Sequence, residues 1–192
     1  MFTLLTLATL SLSPALAETT GGVTGTVTAE ASKNKINTVV YVKAGDKGPA
    51  TAKTVRMDQT GLMFTPHVLP IQLGWTVDFY NSDPVGHNIF TMDGEKYDLG
   101  TWPQGEKRSY TFTKAGTYRQ LCRVHDDMLA YVVALDTARF AVSDKDGHFT
   151  LAGLPPGTYT LGVWHEKLAA ADLVVTVAAG QTATVTVPLV AK

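Results

Sequence analysis

The chain has 192 residues, of which 45% are hydrophobic and 17% are charged. This composition excludes an intrinsically disordered chain and provides enough apolar material for one or two domains. Sixteen Lys and Arg residues against seventeen Asp and Glu residues leave a formal net charge of −1. A near-neutral protein has no electrostatic basis for nucleic acid or an anionic membrane as its main partner.

Residues 1–17 have the features of a secretory signal peptide. The segment contains no charged side chain, includes the apolar run Leu4-Leu5-Thr6-Leu7 and ends in Ala15-Leu16-Ala17. Small residues at this spacing are accepted by signal peptidase, so we expect cleavage after Ala17 and a periplasmic or secreted mature protein. A buried N-terminal strand or helix is the alternative, because the start lacks a basic residue. We expect no membrane insertion after signal cleavage.

After Ala17 the sequence is dominated by short runs in which β-branched or aromatic residues alternate with Thr. This alternation predicts half-buried strands, and Gly, Pro and Asp turn signals separate the runs. The clearest runs are Val23–Val27, Thr38–Val42, Thr76–Tyr80, Ser109–Thr113 and Thr182–Val187. Many short strands with frequent turns are typical of β-sandwiches and barrels, so we predict an all-β fold.

Cys122 is the only cysteine of the chain, which excludes an intramolecular disulfide. It begins the segment Cys122-Arg123-Val124-His125-Asp126-Asp127-Met128, in which a thiol, an imidazole and a thioether recur at three-residue intervals. Together with His87, these groups form the set of two histidines, one cysteine and a weak methionine that suits copper. We therefore predict a copper site formed by His87, Cys122, His125 and Met128.

Each of these residues also has a purely structural interpretation. Cys122 is a candidate buried hydrophobic residue, His125 a surface loop residue, and Met128 the first core residue of the run Met128–Val133. The combination favours metal binding, because an unpaired cysteine in an exported protein calls for a specific role.

The segment from Met57 to Leu135 resembles the cupredoxins, the family of blue copper proteins. The resemblance rests on Phe64-Thr65-Pro66, Gly74–Phe79, Asn81-Ser82-Asp83, His87-Asn88 and the loop Cys122-x-x-His125-x-x-Met128. This loop has the short spacing of amicyanin rather than the longer loop of plastocyanin. The resemblance is strongest to the plastocyanin-like proteins associated with methylamine utilisation. It implies a Greek-key sandwich with one type 1 copper per chain, held near one end by the four residues named above.

The resemblance also implies roles for residues beside the ligands. In cupredoxins an asparagine next to the first histidine ligand commonly links the two ligand loops, and Asn88 is the better candidate here, with Asn81 second. For either asparagine, a place in a turn is the alternative. The downstream histidine, here His125, is the family's usual electron exit. Asp126-Asp127 replaces the Pro and aromatic residue that often follow it; these carboxylates either face water or favour Cu(II) and repel an acidic partner.

Other histidines and charges near these motifs have structural explanations. We expect His67 to lie in a loop or at a strand edge without contacting metal, and Arg123 to be a solvated charge. Trp164-His165-Glu166 is expected to pack at a strand end, because no further soft ligand is nearby.

The tail after Arg139 resembles the carboxypeptidase regulatory-like (transthyretin-like) domains, which are small β-sandwiches without catalytic residues. The resemblance rests on Phe140–Leu151 and Leu154–Leu161. The tail supplies about five strands, fewer than the roughly seven of a complete sandwich. The strands near Gly22–Val27 and Thr38–Lys43 are candidates for the missing ones. We therefore predict a cupredoxin domain, residues 54–136, inserted into a second sandwich made of residues 18–53 and 137–192.

These features predict an exported type 1 copper protein that carries one electron to or from a redox partner protein. A periplasmic copper-binding or delivery protein, and a β-sandwich binding module with no redox role, are the alternatives. We predict that the chain is not an enzyme. The sequence contains no nucleophile with a base at recognisable spacing, no Gly-rich phosphate loop and no second set of copper ligands. The sequence leaves the oligomeric state open.

Overall fold

Strands form nearly all of the regular structure in residues 19–192, the part of the chain that the computed structural model describes. The predicted signal peptide lies outside these residues. The first two strands are β1 (Gly21–Thr28) and β2 (Val39–Ala44), with one turn of 3-10 helix, Ser32–Asn34, between them. The prediction of an all-β fold is confirmed. In the described part of the chain, no helix has the length and apolar character needed to span a membrane.

The next nine strands cover the segment with the copper motifs. They are β3 (Thr54–Thr60), β4 (Met63–Thr65), β5 (Val68–Gln72), β6 (Thr76–Asn81), β7 (His87–Thr91), β8 (Tyr97–Trp102), β9 (Lys107–Thr111), β10 (Gly116–Leu121) and β11 (Leu129–Leu135). They form a five-stranded sheet in the order β5-β11-β10-β7-β8 and a four-stranded sheet in the order β4-β3-β6-β9. One apolar core, which includes Phe79, Ile89 and Trp102, lies between these sheets. We call this unit the middle sandwich.

The remaining strands complete a second sandwich around β1 and β2. They are β12 (Phe140–Val142), β13 (His148–Leu154), β14 (Gly157–Trp164), β15 (Leu168–Ala169), β16 (Leu173–Val177), β17 (Thr182–Pro188) and β18 (Val190–Ala191). Strand β1 lies between β13 and β17, whereas β2 lies between β12 and β14 in a sheet that β16 completes. Short β15 pairs with β18. Both opening strands therefore pair with strands from the end of the chain, across the nine strands of the middle sandwich.

Alternation of buried and exposed positions explains most of these strands. In β3, Met57 and Gln59 are buried between exposed Arg56 and Thr60, as expected for a strand with one face on a core. Each of the five clearest predicted runs overlaps a strand. Strand β9 ends at Thr111 rather than at Thr113, because its partner β6 begins at Thr76, directly opposite Thr111.

Strand β11 is buried on both faces and connects the two sandwiches. Val132 and Ala134 lie in the core of the middle sandwich. Val133 and Leu135 point the other way, into a separate buried cluster that also contains Val39 of the second sandwich. A strand covered on both sides has a continuous apolar sequence instead of an alternating one. This accounts for the four consecutive buried apolar residues, Val132–Leu135, at the end of β11.

Gly25 in β1 provides a test of how tightly the second sandwich is packed. A Cβ atom at this position would lie 2.4 Å from a ring carbon of Phe149, a buried residue directly opposite Gly25 on the neighbouring strand β13. We expect Gly25→Ala to lower the free energy of unfolding by about 1–3 kcal/mol through overpacking, as measured by urea denaturation. Gly157→Ala is the matched control, because its Cβ would lie 3.7 Å from the Tyr159 ring, an ordinary contact. Equal losses of stability in the two variants would contradict the packing described here.

Candidate metal centre

Three of the four predicted copper ligands come together at one end of the middle sandwich. The ligand atoms of His87, Cys122 and His125 all lie within 4.8 Å of one another. His87 Nδ1 is 3.1 Å from His125 Nδ1 and 4.0 Å from Cys122 Sγ. His87 and Cys122 are buried, whereas His125 is half-buried. Within residues 19–192 this is the one group of three or more His, Cys, Asp or Glu residues that brings ligand atoms so close.

Met128 is buried in the same core cluster as Cys122. Its backbone N–H donates a hydrogen bond of 3.1 Å to the carbonyl oxygen of His125. This bond closes the second half of the loop, from His125 to Met128, as a tight turn directly before β11. The loop therefore presents Cys122 and His125 to His87 while the Met128 side chain remains in the apolar core around Cys122.

The neighbouring positions of β7 and β10 in the five-stranded sheet bring the two ligand segments together. Leu121, the last residue of β10, pairs with Phe90 of β7. The chain leaves β10 at Cys122, beside the first residues of β7, and the backbone N–H of Asn88 donates to Cys122 Sγ over 3.5 Å. The pairing of β10 with β7, rather than the local sequence, places the thiol next to His87, because Asn88 and Cys122 are 34 positions apart in the chain.

Asp83 orients the ring of His87. Its Oδ2 lies 2.8 Å from His87 Nε2. The same carboxylate accepts backbone hydrogen bonds from Gly61 at 2.6 Å and from Leu62 at 2.9 Å, both in the turn between β3 and β4. Burial by itself would raise the pKa of Asp83, but the bonds from Leu62, His87 and Gly61 hold the pKa below its usual value. Asp83 is therefore an ionised acceptor, and His87 Nε2 carries the proton that it donates.

The tautomer of His87 decides how well the site suits copper. With the proton on Nε2, His87 Nδ1 directs a lone pair at Cys122 Sγ and His125 Nδ1, as in carboxylate–histidine–metal arrangements. Two imidazole nitrogens and a sulfur then converge in a shielded place, with a thioether in the adjoining core. This donor set fits copper that alternates between Cu(II) and Cu(I). The sequence predicts no role for Asp83 beyond its place in the Asn81-Ser82-Asp83 motif; its position four residues before His87 was the available signal.

Asn88 links the two ligand segments, and Asn81 shapes the turn before His87. The Asn88 side chain accepts a hydrogen bond from the N–H of Arg123 at 3.4 Å and donates to Asp98 at 2.7 Å. Asn81 donates to the carbonyl of Val85 at 2.8 Å, and its Oδ1 accepts a hydrogen bond from the N–H of Asp83. The link across the two ligand segments is thus made by Asn88, whereas Asn81 ties its own turn to the carbonyl of Trp102 in β8, over 3.0 Å.

Three charged residues of the copper loop lie at the surface. Arg123 is exposed, as expected, and it donates to Asp98 at 2.7 Å and packs over the Phe90 ring at 4.1 Å. That hydrogen bond from Arg123, followed by the one from the Asn88 side chain, lowers the pKa of Asp98. Asp126 and Asp127 are both exposed. Their side chains therefore face solvent.

His67 and the Trp164-His165-Glu166 segment lie outside the three-residue group. His67 directly precedes β5, and its ring contacts Glu166 and the carbonyl of Leu129. His165 is buried at the end of β14, where its Nδ1 accepts backbone N–H groups of Lys167 at 3.1 Å and of Leu168 at 3.0 Å. Burial lowers the pKa of His165. The segment therefore packs at a strand end, and His67 and Glu166 meet at the junction of the two sandwiches.

Comparison with protein families identifies two different regions of the chain. Residues 51–135 match the family model of copper binding proteins of the plastocyanin/azurin family. Residues 129–190 match the model of the carboxypeptidase regulatory-like domain. The two resemblances stated from the sequence are thereby confirmed. The chain thus has one region similar to each of these two families.

Solved structures similar to this chain include several cupredoxins. A purple cupredoxin from Nitrosopumilus maritimus is 22% identical, with a TM-score of 0.39, over 42% of this chain and 98% of that one. An amicyanin variant with Cu(I) is 24% identical over 43% of this chain and 82% of that one, with a TM-score of 0.41. A copper-containing nitrite reductase from Thermus scotoductus SA-01 is 29% identical over 43% of this chain, with a TM-score of 0.41. That match spans only 22% of the reductase.

We expect Asp83→Asn to weaken copper binding by about 10–100-fold, the usual cost of losing a partner that orients a metal ligand. An amide has one acceptor oxygen, and its NH2 group would favour the His87 tautomer with the proton on Nδ1, the atom that faces Cys122. Competition with a chelator of known affinity measures the effect.

Asp93→Asn is the matched control. Asp93 forms an ion pair with Arg119 just after the end of β7, whereas His87 lies at the beginning of this strand. An affinity for copper that is the same in wild type and Asp83→Asn would show that Asp83 does not orient His87.

Proposed function

We propose that this chain is an exported one-electron carrier that binds one type 1 copper ion through His87, Cys122, His125 and Met128. The proposal is carried by one observation: three copper-type ligand atoms, one from the start of β7 and two from the loop between β10 and β11, lie within 4.8 Å of one another. The match of residues 51–135 to copper binding proteins supports the identity of the metal. Copper, when bound, supplies a Cu(II)/Cu(I) couple for the transfer of single electrons.

The chain holds its ligands in place through contacts that do not depend on a metal. Asp83 orients His87, and the N–H of Asn88 points at the Cys122 sulfur, where it can stabilise a thiolate. Asn88 also bonds to the loop at Arg123. A site held in this way has little freedom to rearrange when the charge of its metal changes, which favours electron transfer over metal exchange.

His125 provides the route for electrons to a partner. Unlike His87 and Cys122 it is only half-buried, so a protein docked at this end of the sandwich can approach its ring. Val85 and Val124 are exposed on the two loops that carry the ligands, with 43% and 49% of their surface accessible. They offer a small apolar surface for a redox partner protein, and we propose that the partner docks there.

The proposed organisation is a cupredoxin domain, residues 54–136, inserted into a sandwich of residues 18–53 and 137–192. The pairing of β1 with β13 and β17, and of β2 with β12 and β14, supports this division.

Export to the periplasm or the exterior is supported by the apolar, uncharged residues 1–17 and their Ala15-Leu16-Ala17 ending.

The visible absorption spectrum of the purified protein after addition of Cu(II) tests the copper site. We expect an intense blue thiolate-to-copper band in the wild type and no such band in Cys122→Ser, because the band requires the sulfur ligand. His148→Gln, which alters an exposed histidine of the second sandwich, should keep the band. A colourless wild-type protein that retains copper would contradict the type 1 assignment, and a protein that binds no copper would contradict the whole proposal.

The comparison of electron exchange with copper loss separates a carrier from a delivery protein. We expect the copper-loaded protein to be reduced and reoxidised repeatedly by small redox dyes while it retains its metal against a Cu(I) chelator. Stopped-flow absorption measures the rate of reduction and reoxidation, and the formation of the coloured chelator complex measures the rate of copper loss. Transfer of Cu(I) to the chelator at a rate comparable to reoxidation would instead indicate copper delivery.

A further inference from the structure

His67 connects the second sandwich to the backbone next to Met128. Its Nε2 lies 3.2 Å from Glu166 Oε2, and its Nδ1 lies 3.2 Å from the carbonyl oxygen of Leu129. Leu129 directly follows Met128 in the chain. The His67 carbonyl also accepts a hydrogen bond of 2.9 Å from the N–H of Tyr131. His67 therefore contacts Glu166, just after β14, and two residues at the start of β11.

Both groups that face the His67 ring are hydrogen-bond acceptors, one a carboxylate and the other a carbonyl. A neutral imidazole has a single N–H and can donate to only one of them, whereas an imidazolium ion has two. Both acceptors are therefore satisfied at the same time only when each ring nitrogen carries a proton. Burial acts to raise the pKa of Glu166, but His67 and nearby Lys167 hold the pKa below its usual value.

Contacts within the second sandwich determine where Glu166 lies. Buried His165 accepts the N–H groups of Lys167 and Leu168, which fixes the turn that contains Glu166. The Nζ of Lys192 donates to the carbonyl oxygen of Glu166 at 3.1 Å. The Glu166 side chain is only 17% exposed, so solvent does not compete freely for its carboxylate.

Apolar contacts beside Glu166 hold the two sandwiches against each other. The rings of Trp164 and Tyr131 lie 5.3 Å apart between centroids. Both rings pack against the buried cluster that contains Val133 of β11 and Val39 of β2. Because the packed cluster prevents the two sandwiches from moving apart, a polar contact beside it can fix the position of a backbone segment of one sandwich relative to the other.

We infer that Glu166 is a positioning residue for the copper loop. Through His67 it holds the Leu129 carbonyl and thereby the backbone at Met128, which lies between the proposed ligand His125 and the start of β11. We call Glu166, His67 and the Leu129 carbonyl the inter-domain clasp. Its effect on copper rests on the proposed function, since the weak methionine ligand tunes the reduction potential of such sites. The contacts themselves exist without copper. They assign to the regulatory-like domain a part in shaping the metal site.

Hydrogen exchange in the copper-free protein tests the clasp directly. The Met128 N–H, which is bonded to the His125 carbonyl, should exchange roughly tenfold faster in Glu166→Gln and in His67→Phe, because a charge-assisted hydrogen bond is lost. The N–H groups of β10 should be unaffected. Acceleration throughout the middle sandwich, or none at Met128, would overturn the inference whether or not the chain binds copper.

The copper-loaded protein tests the consequence for the metal. We expect Glu166→Gln to shift the visible spectrum and the reduction potential, and Glu166→Asp to cause a similar shift, because the shorter carboxylate does not reach His67. Asp172→Asn is the control: it removes a carboxylate of the second sandwich that pairs with Lys43, and it should leave both quantities unchanged.

Three further outcomes decide how these experiments are interpreted. If Glu166→Asp behaves as the wild type does, charge rather than position is responsible and the inference is wrong. In the double variant of His67→Phe and Glu166→Gln, the second change should add nothing to the first, since both break the same clasp; additive shifts would overturn the inference. If the wild type binds no copper but the Met128 N–H still exchanges faster in the variants, the proposed function fails and the clasp stands.

Discussion

The hydrogen bond between His87 and Asp83 is the contact on which the candidate copper site depends. It directs the lone pair of His87 Nδ1 at Cys122 and His125, and without it either nitrogen could carry the proton. Asp83 is itself held by the backbone of the turn after β3. The orientation of one ligand is therefore set by a segment that contributes no ligand, which explains how a site built from a strand end and a loop has a defined arrangement without metal.

Strand β11 connects this site to the rest of the molecule. It begins directly after Met128, and its alternate side chains enter two different buried clusters. The inner face completes the core of the middle sandwich, and the outer face packs at the junction with the second sandwich. A shift of the second sandwich would therefore act on the backbone beside the copper loop, and the contacts of His67 lie where that backbone leaves the loop.

Much of this arrangement follows from local sequence. The alternation in the five clearest runs indicated strands because half-buried strands require it, and the three-residue spacing of Cys122, His125 and Met128 indicated one loop around one ion. Asn88 was identified by its place beside His87. In contrast, Asp83 resembled an ordinary turn residue, because its role depends on a turn some twenty residues earlier in the chain. His67 and Glu166 are 99 positions apart, and no local pattern relates them.

The sequence by itself determined the fold class, the two domain types and the identity of the candidate ligands. Each of these depends on short-range periodicity, on motif spacing or on residue chemistry. The tertiary structure alone decided which nitrogen of His87 faces the site, which asparagine links the ligand loops, and where the two sandwiches touch. These features depend on strand order and on the angles of individual hydrogen bonds. Strand order is set by the packing of the whole core, so residues distant in the chain become partners only after the sheets have formed.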